Sequence, residues 1–423
     1  MSELKIKVNQ LTRVEGHGNI HLEATDGKLD RVLWEVTESP RFFEWMLKGR
    51  NYDDVSTISS RICGICSISH TTASLQATES AFGVKLTEQA WLLRKLLYDA
   101  EMLESHVLHV LFLIAPDFLG ADSVIPLVAT HGDIIVMAVR LKKLAYNLAD
   151  ILAGRKTHPI TPIVGGWSKL PDIDELKAIR ERLDKAMEDM DTMVAVVKSV
   201  APMIPDFQRP TEYIALKDSK EYSFITGKIA SSDGGTFPLE DYKQITNEFC
   251  VPHSSSKFAK HKRDSYMVGA LSRFNLNSEQ LLPKAKKAAK ELGMKAPIHN
   301  PFFISVAQTV ETVHAMEDAI NIIDKLLARG LHEEEVKVKP RAGRGVGIVE
   351  APRGILIHDY IYDEAGNIVS ANCIIPTGQN HLSIQKDFDA LAPTILDKPE
   401  DEIRHTLEML VRAYDPCISC SVH

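Results

Sequence analysis

Apolar and polar positions alternate at the start of the chain. LKIKV and NIHLE change character at every residue, and an Asp26-Gly27 turn follows the second, so strands are predicted over 3–9, 18–25 and 29–37. Residues 41–49 read as a short helix stopped by Gly49. From residue 67 the period becomes helical. One helix is predicted over 67–82, stopped by Gly83, and a long one over 87–115. In the latter, Leu93, Leu96, Ala100, Leu103, Val107, Val110 and Ile114 recur at intervals of three and four, a buried helical stripe. Thr87 suits the N-cap and Glu88 the first turn, although Ala90 stands where a capping box needs Glu or Gln. Further helices are predicted over 123–153, ending near Gly154, and over 172–200, closed by Pro202 and Pro205. Residues 201–300 are rich in Pro, Gly and Ser and give only short strand-like pieces such as YSFITGKIA. Helix returns over 278–292 and 302–329, where Phe303, Val306, Val310, Val313, Ile320 and Leu327 share a face. Residues 336–375 read as β (VKVKP, VGIVEA, GILIHDYIYD, NIVSANCII), with a turn at Glu364–Asn367. Helical pieces follow over 383–391 and 399–413.

Composition sets only broad bounds. The 423 residues allow two to three domains or one large one, and 44% hydrophobic residues support a sizeable core. A net charge of −8 does not advertise a nucleic-acid partner. MSELKIKVNQ lacks the apolar stretch of a secretory leader, and no uninterrupted apolar run of about 20 residues occurs. The expectation is a soluble, cytoplasmic protein with no membrane-spanning helix.

Six cysteines are too few for a disulfide scaffold. Four form two CxxC pairs, Cys63/Cys66 and Cys417/Cys420, at opposite ends of the chain, while Cys250 and Cys373 read as small buried hydrophobes. A single redox dithiol leaves the second pair unexplained, and zinc ribbons hold their pairs about 15–20 residues apart. What remains is a four-thiolate site built from both ends, suited to nickel, iron or an iron–sulfur cluster. The glycines of GRGVGIV fail the dinucleotide fingerprint at Ile348 and read instead as a bent or closely approached strand.

In chain order the motifs are Arg13-Val14-Glu15-Gly16-His17, Arg41-Phe42-Phe43-Glu44, Arg61-Ile62-Cys63-Gly64-Ile65-Cys66 with His70, Glu350-Ala351-Pro352-Arg353-Gly354, Pro376-Thr377, and Asp415-Pro416-Cys417 with Cys420 and His423. This series, spread along the whole chain, resembles the large, catalytic subunit of the nickel–iron hydrogenases, most closely those coupled to soluble electron carriers. The resemblance implies nickel held by Cys63, Cys66, Cys417 and Cys420. Cys66 and Cys420 would also bridge to an iron bearing cyanide and carbon monoxide. It implies Arg353 beside the metals, Thr377 as a donor to cyanide, Pro352 in the pocket wall, His70 bonded to a bridging thiolate, and Asp117 and Asp415 orienting the arginine. Glu44 and His423, with a carbonyl near Ile375, would hold magnesium or a similar ion.

The activity implied is reversible heterolytic oxidation of dihydrogen. Arginine is a poor base at its ordinary pKa. Cys417 is therefore expected to take the first proton and Glu15 to relay it, with Arg353 acting electrostatically. His106 and His109 read as core histidines and Arg13 as an ion-pairing residue. Cys250 and Cys373 cannot ligate a relay cluster, so an iron–sulfur small subunit is expected. Carrier-reducing subunits linked to NAD(P), ferredoxin, a deazaflavin or a heterodisulfide, and maturation proteins, are expected as well. The alternatives are a hydrogen-sensing subunit with the same metals, the cysteine-free quinone-site relative of respiratory complex I, and a structural zinc protein. Ending at His423 fits either a processed chain or one made without an extension. The expected fold is α-rich α+β, with a long central helix bundle and β elements from both chain ends near the metal. It forms one body over 1–423, since neither end can form the site alone.

Overall fold

The computed structural model describes residues 3–423. It opens with the three strands expected, β1 (Glu3–Val8), β2 (Gly18–Thr25) and β3 (Lys28–Val36), in an antiparallel sheet of that order. Each pairs with its neighbour in the register the alternation requires, and Ile6, Ile20, Leu22, Val32 and Trp34 turn to the core. Next come the short helices α1 (Phe43–Leu47) and α2 (Tyr52–Ser59). The second has no apolar stripe and was not predicted. Helix α3 (Ser67–Phe82) ends on Gly83 in the left-handed region, φ 69°.

The bundle is centred on α4 (Glu88–Leu108), capped by the Thr87 hydroxyl on the Ala90 N–H. The predicted stripe is buried along its whole length. Where the sequence reads one helix to 115, the chain passes through a π-turn (His109–Ile114) into a four-residue turn, α5 (Ala115–Phe118), opened by Pro116. Helix α6 (Val124–Ala153) kinks at His131, φ −132°. By length and composition alone it would also be long and apolar enough to cross a membrane. Here it packs against α4, with Ile125, Val128, Val136 and Val139 exposed. The predicted helix 172–200 is two, α7 (Ile173–Lys185) and α8 (Met187–Val200), joined at Ala186. No breaker residue marks that joint, so it is set by packing of both helices on the later helix Ile304–Arg329.

The 201–300 region supplies small pieces that seat other elements. After a hairpin, β4 (Pro162–Ile163) and β5 (Gly166–Trp167), come β6 (Glu212–Lys217), β7 (Lys228–Ser231), β8 (Gly235–Phe237), β9 (Asn247–Phe249), β10 (Phe258–Lys260) and β11 (Tyr266–Met267). Strands β11-β6-β7-β8 form one sheet and β10-β9 a ribbon. Helices α9 (Ala270–Asn277), α10 (Pro283–Glu291) and α11 (Ile304–Arg329) follow, α11 lying along α4. VKVKP, read as a strand, forms no ladder among the described residues, and Val336 packs on the hairpin glycine Gly166.

The last sheet is antiparallel, β12 (Gly343–Ala351), β13 (Gly354–Tyr362) and β14 (Ile368–Ile374). Strand β12 lies directly on α3. A Cβ on Gly345 or Gly347 would stand 2.0 Å from the Ala77 or Ala73 carbonyl, so the close-approach reading of these glycines holds. Helix α12 (Pro376–Leu391) starts seven residues before the predicted 383, with Pro376 in its first turn. Its first residues are weak helix formers held by tertiary bonds, Gln379 to the Ile355 carbonyl (2.7 Å) and Asn380 from the Val268 N–H (2.9 Å). Helix α13 (Glu400–Ala413) and the one-turn α14 (Ile418–Ser421) complete the chain. The fold is helix-rich α+β, as expected.

Candidate metal centre

Each cysteine pair is a turn entering a helix. The chain leaves the 3-10 turn Ser60–Ile62, places Cys63, and enters α3 after Cys66. The N–H groups of Ile65 and Cys66 point back at the Cys63 sulfur, 3.3 and 3.0 Å away. At the other end Asp415 takes φ 51°, and after Pro416 and Cys417 the chain coils into α14. Glu15 joins this turn as a one-residue parallel bridge to Cys417. Its N–H meets the Pro416 carbonyl at 3.3 Å, and its carbonyl accepts from Ile418 at 2.8 Å. Arg41 ties the two turns together, donating from Nη2 to the Ile62 carbonyl (2.7 Å) and the Ser419 carbonyl (2.6 Å).

The result is a cluster of four buried sulfurs, all within 4.8 Å of one another. Cys63 and Cys417 are 3.6 Å apart, and the Cys417 and Cys420 sulfurs are in direct contact. Cys66, Cys417 and Cys420 line a small cavity with Arg353, Thr377, Pro376 and His70. Burial opposes the Cys63 thiolate. The hydrogen bond from Cys66, the Arg353 charge and the backbone N–H groups of Cys66 and Ile65 outweigh it and hold Cys63 below the usual thiol value. The hydrogen bond with Cys63, burial and the charge on Cys63 push Cys66 well up. One of the pair gives up its proton readily and the other resists, because a second thiolate beside the first is disfavoured by like charge.

Arg353 is fully engaged on one side only. Its Nε donates to the Asp415 carbonyl (2.6 Å) and its Nη2 to the Asp415 carboxylate (2.8 Å), while Nη1 is buried without a partner. Burial works against its charge, but Asp415 and the nearby thiols more than restore it. The Thr377 hydroxyl accepts from the Cys417 N–H at 3.0 Å, which leaves its own proton to donate. Glu15, half-buried, accepts from the Ser419 N–H (3.1 Å) and from the Ser419 hydroxyl. The His70 ring lines the cavity and meets His358 at 3.1 Å, and His358 meets the Tyr360 hydroxyl at 2.5 Å. Burial, with His358 second, holds His70 well below its usual pKa. Glu44 accepts from the Cys373 N–H (2.8 Å) and lies 3.5 Å from His423. Burial would raise the Glu44 pKa, but His423 and the Cys373 N–H pull it below the ordinary value.

Two expectations need correction. Asp117 does not meet Arg353. It is held by Arg13 (2.5 Å) and by both arms of Arg412 (2.8 and 2.9 Å), because the π-turn before it aims α5 at α13. Asp415 alone carries that pairing, its second oxygen taken by Gln308 at 3.0 Å. Cys250 is exposed, whereas Cys373 is buried as expected. Arg13 is an ion-pairing residue, and His106 and His109 are buried and bonded to Glu311 and Gln308.

Three contributors escaped the sequence reading. Arg41 was named only as part of a motif. Glu101 of α4 accepts the Ile68 and Ser69 N–H groups that open α3 (2.7 and 3.1 Å), and burial pushes its carboxyl up to about 8. Arg273 of α9 grips the backbone before Arg353. Neither Glu101 nor Arg273 belongs to a recognisable pattern.

The donor set fits a nickel–iron pair. Four soft sulfurs converge in a buried site, and the unpartnered Arg353 Nη1 and the Thr377 hydroxyl supply donors for acceptor groups on iron.

The profile of the family described as Nickel-dependent hydrogenase matches residues 41–133 and 254–423. Among curated relatives, the chain is 34% identical to sulfhydrogenase 1 subunit alpha of Pyrococcus furiosus over 424 residues, covering 99% of this chain and 98% of that one. It is 30% identical to sulfhydrogenase 2 subunit alpha of the same organism over 419 residues, covering 99% and 98%. Among solved structures, an NAD+-reducing [NiFe]-hydrogenase in the H2-reduced state superposes with TM-score 0.89 at 25% identity, covering 99% of each chain. The Ni-Fe-Se hydrogenase of D. vulgaris Hildenborough shares the fold, with TM-score 0.79 at 23% identity and full coverage of both chains. The chain belongs to the nickel-dependent hydrogenase family, as a large, catalytic subunit.

Proposed function

We propose that this subunit carries out the reversible heterolytic oxidation of dihydrogen, and that its electrons leave through an iron–sulfur small subunit to a soluble carrier. The observation that carries the reading is the meeting of four buried cysteine sulfurs, from both chain ends, beside an arginine with one uncommitted Nη. When bound, a nickel–iron pair supplies a Lewis-acidic, redox-active centre that polarises dihydrogen.

The chain's own residues do the rest. Cys63, Cys66, Cys417 and Cys420 would hold the metals at their sulfurs. Thr377 would donate to the cyanide side of the iron, and Ala351, Arg353 and Pro376 would wall the pocket around it, with Pro352 outside the lining. Cys417 takes the first proton at its sulfur. Glu15, half-buried, is bridged to Cys417 through its backbone while its carboxylate sits on Ser419, and it would carry the proton outward. Arg353 keeps its charge, because Asp415 holds it, and so acts on developing charge rather than as a base. His70 orients the sulfur side of the cavity. Asp117 serves the Arg13–Arg412 layer behind Asp415. Glu44 and His423, with a carbonyl at Ile375, hold magnesium or a similar cation that pins residues 417–423.

Beyond the four cysteines of the cluster only Cys250 and Cys373 exist, too few for a relay cluster, and this supports the small-subunit requirement. Likeness to an NAD+-reducing enzyme supports a soluble carrier and a cytoplasmic setting. The chain works as one unit, since either end alone carries half the ligands. A hydrogen-sensing role gains no support from the relatives matched. The test is an infrared spectrum with elemental analysis of the purified complex. Nickel and iron together with cyanide and carbon monoxide bands are expected. Zinc alone, with no such bands, ends the proposal.

A further inference from the structure

Arg273 is fully buried, and all five N–H groups of its guanidinium are committed. Nε and Nη2 form a fork on Glu311, both at 2.7 Å. Nη1 donates to the Glu350 carboxylate at 2.9 Å and to the Ala351 carbonyl at 2.9 Å, and Nη2 also donates to the Pro352 carbonyl at 3.0 Å. The two carbonyls belong to the two residues that precede Arg353. Glu311 is fixed in turn from α11 by the Tyr222 hydroxyl (2.6 Å) and the His106 ring (2.9 Å). Glu350 is fixed by the Leu216 N–H at 2.6 Å. The backbone touches at the same place. Gly269, which opens α9 at φ 109°, leaves room for no Cβ, because one would stand 2.9 Å from the Arg353 carbonyl.

We propose that Arg273, braced by Glu311, is the positioning residue that aims Arg353 at the metal cavity. The inference rests on the hydrogenase reading above. Among the described residues, Arg353 is tethered on its cavity side only through Asp415, so the angle at which Nη1 enters the cavity is set by two supports. One is Asp415 at the tip, and the other is the Arg273 fork at the root. The geometry asks for a planar group that binds a carboxylate with one edge and two successive carbonyls with the other. Lysine supplies charge but not that shape.

The experiment uses the whole hydrogenase complex. Arg273→Lys keeps the charge between Glu311 and Glu350 but cannot reach both carbonyls. Nickel and iron contents at wild-type level are expected, with turnover reduced more than tenfold and the infrared bands of the iron-bound ligands displaced, since the donor at Arg353 Nη1 has moved. Glu311→Gln, which keeps the size of the side chain and one acceptor oxygen, should displace the bands in the same direction with a smaller loss of turnover. It decides the matter alone if the lysine variant does not fold. Wild-type turnover and an unshifted spectrum in a metal-loaded variant overturn the proposal. If wild-type complex itself shows no such bands, the hydrogenase reading has failed rather than this one.

Discussion

The sulfurs of Cys63 and Cys417 stand 3.6 Å apart although 354 positions of sequence separate them. Neither turn binds a metal by itself, and their meeting is enforced from outside the cysteines. Arg41 bonds the carbonyls of both turns, and Glu15 zips to the second. Cys417→Ser is expected to remove nickel and reduce hydrogen oxidation to background. The folded chain should lose only about 1–2 kcal/mol, the range for a buried near-isosteric change. Elemental analysis and urea unfolding of the same sample check both halves. Retained nickel would show that the thiolate is not a ligand.

Asp415→Asn isolates the charge at Arg353. Asparagine tolerates the φ of 51° at this position, so the backbone is kept. The buried arginine loses its counter-charge, however, and Gln308 loses a carboxylate acceptor. A fall in turnover of ten- to a hundredfold is expected, which is about 1.4–2.7 kcal/mol of barrier. Asp117→Asn should lower stability instead, through Arg13 and Arg412, with turnover per nickel nearly unchanged. Viologen-linked hydrogen oxidation normalised to nickel separates the two.

Glu15→Gln should leave both metals in place and cripple proton movement, because the amide still accepts from Ser419 but carries no exchangeable acid proton. Dihydrogen–deuterium exchange in labelled water is the measurement. Exchange near the wild-type rate would sink the relay role.

Stability should fall in mild acid, and two buried histidines, His381 and His314, give the sign. The His381 Nδ1 accepts from the Trp34 indole N–H (3.0 Å), and the His314 Nδ1 accepts from the Leu282 N–H (3.2 Å), so protonating either ring breaks a bond. Burial lowers His381 to about 3 and His314 to about 4. Below pH 6.5 the unfolded chain binds protons that the folded chain refuses. Stability is therefore full above that value and drains away down to the folded pKa values. Each site should remove about 2 kcal/mol between pH 7.5 and 5.0. A urea midpoint that does not move across this interval contradicts the assignment.

Gly347→Ala should destabilise by about 3 kcal/mol and loosen nickel binding. The new Cβ would strike the Ala73 carbonyl and push α3 away from β12, and α3 begins at the first cysteine pair. Gly132→Ala, in open space on α6, is the control and should be neutral or stabilising. Thermal unfolding of the two variants gives the comparison.

The chain itself determined much of this. Period-two and period-3.6 patterns located the first sheet, α3, α4, α6 and α11, because each buries one face or stripe whose spacing is set by backbone geometry. The cysteine pairs and their flanking motifs singled out the side chains that the fold brings together, since metal chemistry needs particular side chains at fixed local spacing. Tertiary structure decided the rest. The π-turn that sends Asp117 to Arg412, the break at Ala186 and the early start of α12 have no local signature, because each is set by what packs against it. The same holds for Arg273 and Glu101, which lie in stretches with no motif and act on groups distant in sequence. A sequence states which atoms can ligate, donate or carry charge. Which backbone carbonyl an arginine reaches depends on two segments meeting, and only the folded chain contains that meeting.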